Sequence, residues 1–132
     1  MVGDYDVIVH EDLQITNMTR RAAPKPDGAG GYLPNGGSAK SGLSRSILDA
    51  GWGVFLTVLA DKAESAGRVV VAVNPANTSR TCARCGHCAA GNRVTQAAFR
   101  CTACGHAAHA DVNAAINILR AGLALRQAAA AA

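Results

Sequence analysis

A run of β-branched residues near the start, "YDVIVHEDL", sets Val7, Ile8 and Val9 between polar neighbours. It predicts a short strand from Tyr5 to about His10, with Glu11 at its C-terminal end. The apolar signal then disappears: residues 21–42, "RAAPKPDGAGGYLPNGGSAKSG", are dense in Pro, Gly and Asn without periodicity and read as a mobile, flexible loop. From a cap at Ser41 or Ser44, Leu48, Trp52, Phe55 and Leu59 recur at i, i+4, i+7 and i+11 and predict one helix to about Ser65, stopped by Gly67. Gly51 and Gly53 inside it each cost about 1 kcal/mol relative to Ala and mark a kink or a close backbone contact. The continuous run "RVVVAVN" predicts a strand from Arg68 to about Val73, buried on both faces. Beyond a cysteine-rich stretch, Asp111 opens a second helix with Val112, Ala115, Leu119 and Leu123 as its apolar stripe, and the closing alanines read as a frayed tail.

A chain of 132 residues is about one ordinary domain. Aromatics are 4% of it, so the core rests on Val, Leu, Ile and Ala. The formal charge of +4 is mild, but its distribution is not. From Gly67 onward the only acidic residue is Asp111, against Arg68, Arg80, Arg84, Arg93, Arg100, Arg120 and Arg126. That half suits a polyanion such as DNA, with Arg80, Arg84, Arg93 and Arg100 the candidate nucleic-acid contacts; a merely solubilising surface is the plainer reading. No segment reaches the ~18 apolar residues of a membrane span, and the N-terminal stretch lacks a secretory pattern. The expectation is a cytoplasmic protein without a membrane partner, in a reducing compartment where clustered cysteines bind metal.

The cysteines carry the chemistry. Cys82-x-x-Cys85, fifteen intervening residues and Cys101-x-x-Cys104 have the spacing of a Cys₄ zinc site. Two cysteines separated by two residues wrap a tight turn with both sulfurs facing one ion, and two such turns complete a tetrahedron. Gly86 and Gly105, each following the second cysteine of its pair, give that turn a permissive backbone. Cys88 is left over as a free thiol, and His87, His106 and His109 are alternative ligands that four thiolates make unnecessary. A closed Cys₄ site has no open position for catalysis, so the Zn²⁺ is structural. Asp111 has a plain role as a helix cap, and Glu11 as an exposed carboxylate at a strand end.

The segments "YDVIVHEDLQITNMTR", "AGWGVFLTVLADKAESAGRVVVAVNPANTSRTCARCG" and "FRCTACGHAAHADVNAAINILRAG" resemble the C-terminal part of TnpB-like proteins, the OrfB or probable-transposase family of insertion sequences. The resemblance runs from Tyr5 to Gly122. It implies similarity to type V CRISPR effectors: RNA-guided DNA endonucleases with an RNase H-like (RuvC) domain that carries a zinc-ribbon insertion. The implied fold is an α/β, incomplete RNase H-like (RuvC) fragment with an inserted Cys₄ zinc ribbon. Its segments are a strand with the second acidic motif (1–20), a flexible loop (21–42), a helix and strand (43–78), the ribbon (79–108), the final helix with the third acidic motif (109–126) and a tail (127–132). The resemblance assigns Glu11 and Asp111 to two of three catalytic carboxylates on Mg²⁺. Hard oxygen ligands of this kind can clamp two ions about 4 Å apart on a phosphodiester. The family's first Asp lies upstream of the Glu motif, so the expectation is a fragment, from a truncated or mis-started frame, that is inactive alone and leaves "RVVVAV" without partner strands. Its partners would be DNA and, in the intact family, a guide RNA. The alternatives are a noncatalytic zinc-ribbon nucleic-acid-binding protein and a nonfunctional gene product.

Overall fold

The computed structural model describes residues 1–49 and 51–132. In chain order the elements are β1 (Val7–Glu11), α1 (Ile15–Thr19), β2 (Lys25–Pro26), β3 (Tyr32–Leu33), α2 (Gly37–Asp49), α3 (Trp52–Ser65), β4 (Val69–Val73), a 3-10 turn (Ala90–Asn92), β5 (Ala98–Arg100), β6 (Ala107–His109) and α4 (Ala110–Ala130). They form two compact units, residues 1–13 with 66–132, and residues 14–65.

In the first unit β1 and β4 pair in parallel, in register from Val7 opposite Val69 to Glu11 opposite Val73. The Val strand is therefore partnered, contrary to the expectation. A parallel pair needs a long connection, which the intervening residues provide. The strand is not buried on both faces: Val73 is buried, while Val69 and Ala72 are exposed. The described sheet is two strands wide with α4 packed on both, and that is too little cover for a doubly buried strand.

α4 reaches the sheet through a small residue. Gly122 is buried, and a Cβ added there would collide with the Val9 side chain, so the helix backbone lies directly on β1. The predicted stripe of Val112, Ala115, Leu119 and Leu123 faces outward, Val112 being 56% exposed. The buried positions are Ala110, Asn113 and Gly122, a face chosen by close approach and hydrogen bonding instead of apolar bulk. His109, and not Asp111, is the N-cap: its Nδ1 accepts from the Asp111 amide at 3.3 Å. The terminal alanines are helical to Ala130, in keeping with the highest helix propensity of any residue, and not a frayed tail.

The second unit corrects two further expectations. The supposed loop holds the β2–β3 hairpin, Lys25 opposite Leu33 and Pro26 opposite Tyr32, and then the start of α2. Asp27 closes that hairpin by accepting from the amides of Ala29 and Gly31 at 2.8 and 2.9 Å. Those amides, Ala29 first, hold its carboxyl below the usual carboxylate range. The single helix expected to Ser65 is two, because Gly51 adopts φ 60°, a left-handed conformation that ends one helix before the next begins. Trp52 and Phe55 stack with ring centroids 5.5 Å apart, and Leu59 and Ala63 are buried; Leu48 and Phe55 are exposed, so the predicted stripe is only partly used. By length and composition alone, residues 37–65 contain an 18-residue window, of mean hydropathy 1.2, apolar enough for a membrane span. The left-handed Gly51 divides that run.

Candidate metal centre

The two cysteine turns fold alike because each repeats the same backbone solution. The Cys82 amide donates to the His87 carbonyl (2.9 Å) and the Gly86 amide to the Cys82 carbonyl (2.8 Å). In the second turn the Cys101 amide donates to His106 (2.9 Å) and the Gly105 amide to Cys101 (3.0 Å). Each reversal needs positive φ, found at Gly86 (79°) and Gly105 (71°). The consequence is convergence. The sulfurs of Cys82, Cys85, Cys101 and Cys104 all lie within 4.8 Å of one another, the only such group of three or more metal-capable side chains among the described residues. Cys82 Sγ is 3.8 Å from Cys104 Sγ and Cys85 Sγ 3.6 Å from Cys101 Sγ. A tetrahedron with Zn–S bonds of about 2.3 Å has edges of about 3.8 Å, so the tetrad fits a metal ion such as zinc. Cys88 is exposed and outside the group.

The electrostatics of the thiols make the same case. The Cys104 backbone amide, set against burial, lowers Cys101 to about 6. The His87 backbone pulls Cys85 down, but the sulfur of Cys104, desolvation and the other two thiols outweigh it and push it up to about 12. One thiolate forms readily and then resists a second. A cation drawn among the sulfurs would favour the thiolate form that binds it.

Three asparagines lock this centre in place. Asn92 is fully buried between the turns: its amide donates to the carbonyls of Arg80 (2.9 Å) and His87 (3.0 Å), and its oxygen accepts from the Thr102 amide (2.9 Å) and hydroxyl (3.0 Å). Asn113, also fully buried, accepts from the Ala83 amide (2.9 Å) and donates to the Thr81 carbonyl (2.8 Å). One turn later on α4, Asn117 donates to the carbonyls of Thr78 (2.9 Å) and Thr81 (2.7 Å). The Arg120 guanidinium donates to the Ala83 carbonyl. Cys82, Phe99, Cys101 and Ala110 form the apolar cluster behind these contacts. The sequence reading missed all three asparagines as site residues. The signal was present in "ADVNAAINI", where Asn113 and Asn117 stand four apart and so on one helix face.

The remaining site residues are dispersed. Glu11 ends β1 and its Oε1 accepts from the Thr78 hydroxyl at 2.5 Å, Thr78 being buried. Thr78 thereby connects Glu11 to Asn117 and the ribbon. Asp111 stands in the first turn of α4, 76% exposed, with Arg93 Nη2 at 3.9 Å and His109 Nδ1 at 3.9 Å. Neither carboxylate belongs to a group of three metal-capable side chains among the described residues, so a Mg²⁺ site is not assembled by them. Arg80, Arg84 and Arg100 are exposed. Arg93 is half-buried and committed to the carbonyl and side chain of Gln96 as well as to Asp111.

The family model described as Cas12f1-like, TNB domain, matches residues 52–118. The chain is 48% identical over 122 residues to the putative RNA-guided DNA endonuclease InsQ of Escherichia coli K12, an alignment covering 92% of this chain and 29% of that protein. It is 53% identical over 57 residues to the CRISPR-associated endodeoxyribonuclease Cas12f1 of Sulfoacidibacillus thermotolerans, covering 43% and 14% respectively. Among solved structures, the mini-RNA-guided endonuclease CRISPR-Cas_phi3 superposes with a TM-score of 0.50 at 25% identity, over 91% of this chain and 16% of that one. The chain thus spans less than a third of the length of these relatives. Because the family match takes in more than half of the chain, with both cysteine turns and the asparagine-bearing turns of α4, the chain belongs to the Cas12f1-like TNB family, the TnpB-like group that its motifs resemble.

Proposed function

We propose that residues 1–132 form the zinc ribbon and part of the RNase H-like (RuvC) nuclease region of a TnpB-like, RNA-guided DNA endonuclease that acts in the cytoplasm on DNA with a guide RNA. The observation that carries this is the tie between the sulfur tetrad and α4, the helix on which Asp111 stands. Cys82, Cys85, Cys101 and Cys104 hold the metal; Zn²⁺ bound there supplies a cross-link that a ribbon this small needs in order to fold. Asn92 joins the two turns, and Asn113 with Asn117 fixes them to α4, so ribbon and helix move as one body. Glu11, oriented by Thr78, and Asp111 are the two carboxylates this region contributes to the nuclease site. Arg80, Arg84 and Arg100 contact phosphates without reading bases, and Arg93 holds the loop before β5 beside Asp111.

A noncatalytic zinc-ribbon binder is the second reading, favoured by the pairing of Asp111 with Arg93 and by neither carboxylate belonging to a group of three metal-capable side chains among the described residues. The test is to incubate the zinc-loaded 132-residue polypeptide with single- and double-stranded DNA and Mg²⁺, beside a version extended upstream. Salt-sensitive binding by both, with cleavage by the extended version alone and its loss in Asp111→Ala, supports the endonuclease assignment. Extended protein that binds but never cleaves supports the binder, and no binding at low salt removes both.

A further inference from the structure

Within residues 14–65 an open cavity of about 570 Å³ lies at the junction of α1 and α2. Arg20 and Arg21, just past the end of α1, meet Lys40 and Arg45 on α2 there, with the hydroxyls of Ser41 and Ser44 between them. Lys40, Ser41, Ser44 and Arg45 stand at i, i+1, i+4 and i+5, so one face of α2 supplies four polar groups to the same wall. Ser44 also donates to the Thr19 carbonyl at 3.3 Å, which fixes α1 against that face.

Among the described residues no carboxylate lines the cavity, and none of the four cations takes part in an ion pair. Four like charges converging on one concave wall repel one another, and an anion entering from solvent relieves that repulsion. The volume is in the range of ligand clefts. No aromatic ring lines it for a base to stack on, so the complementary ligand presents phosphate without an inserted base.

We propose that this cavity is a second phosphodiester-binding site, separate in sequence from the ribbon arginines, which takes the backbone of a single-stranded nucleic acid without base preference. The proposal rests on the nucleic-acid reading above and extends it to a unit of the chain for which that reading names no contact. A strand is favoured over a free phosphate because the cavity is open and its cations come from two elements, which suits successive phosphates more than one enclosed ion. It is favoured over a lipid surface because the cations line a concave wall.

The test compares the zinc-loaded full chain with a variant carrying Arg20→Gln, Arg21→Gln, Lys40→Gln and Arg45→Gln, and with a ribbon variant carrying Arg80→Gln, Arg84→Gln and Arg100→Gln. Binding of a labelled homopyrimidine oligonucleotide is followed by fluorescence anisotropy across a salt series. Each phosphate contact on a single strand contributes about 0.7 to the log–log salt slope, so the cavity variant should lose at least about tenfold in low-salt affinity and up to about 3 units of slope. The single variant Arg45→Gln, at an exposed position of α2, should lower the slope by about 0.7 even if the fourfold variant folds poorly. Wild-type affinity and slope in both cavity variants, with binding impaired in the ribbon variant, overturn this proposal and leave the nucleic-acid reading standing. Wild-type protein that binds no oligonucleotide overturns both. Saturable binding of pyrophosphate, or of phosphatidylserine vesicles, that the cavity substitutions abolish while oligonucleotide binding persists unchanged would reassign the site to a small phosphate or a membrane.

Discussion

Asn113 ties α4 to the Cys82 turn through two hydrogen bonds. It is fully buried and satisfies one donor and one acceptor of the Cys82 turn, so Asn113→Ala leaves the Ala83 amide and the Thr81 carbonyl without that partner. Thr81 keeps its bond from Asn117, which limits the loss. An unsatisfied buried group costs about 1–3 kcal/mol, and thermal melts of the zinc-loaded protein should show destabilisation of about 2 kcal/mol. The cysteines divide by geometry in the same way. Cys101→Ser should abolish stoichiometric zinc and the dispersed amide spectrum of residues 80–108, whereas Cys88→Ser, outside the tetrad, should keep one zinc per chain by elemental analysis.

At the scale of elements, the contact between α4 and β1 is a backbone approach that tolerates no side chain. Gly122→Ala would force a methyl into Val9, and the overpacking should cost about 1–3 kcal/mol in a denaturant titration. Gly53, within α3, has nothing within 4 Å of the position of a Cβ, so Gly53→Ala should instead stabilise by up to about 1 kcal/mol. The pair separates a glycine needed for packing from one that only lowers helix propensity. Gly51 belongs to neither class, because its left-handed backbone is itself the break between α2 and α3.

Over the whole molecule, the metal acts on the unit that carries the four cysteines. Four thiols must shed their protons for zinc to bind, so affinity falls as pH falls. In the metal-free chain Cys101 is lowered to about 6 by the Cys104 backbone amide, so the stability its thiolate contributes is present above the ordinary thiol value and lost as pH drops through about 6. Following zinc release with an indicator dye from about pH 8 to about pH 5 should show progressive loss, beginning at higher pH in Asn92→Ala, which keeps all four thiols but no longer joins the two turns that carry them. Chelation should broaden amides of residues 80–108 while the Asp27 hairpin, in the other unit, keeps its chemical shifts. Much of this centre was legible in the chain: Cys-x-x-Cys followed by Gly is a local geometry, set by a few consecutive dihedrals, and it is found where the spacing put it. The strand at Val7–Glu11 and the helix from Ala110 were legible for the same reason, since both rest on short-range patterning. What periodicity could not supply were choices made by distant residues: that β4 pairs with β1, that α4 turns asparagines and a glycine inward and its leucines outward, and that Thr78 ties Glu11 to the ribbon. A buried asparagine is indistinguishable in sequence from an exposed one until the carbonyls and amides it satisfies are brought to it, and only the tertiary structure brings them.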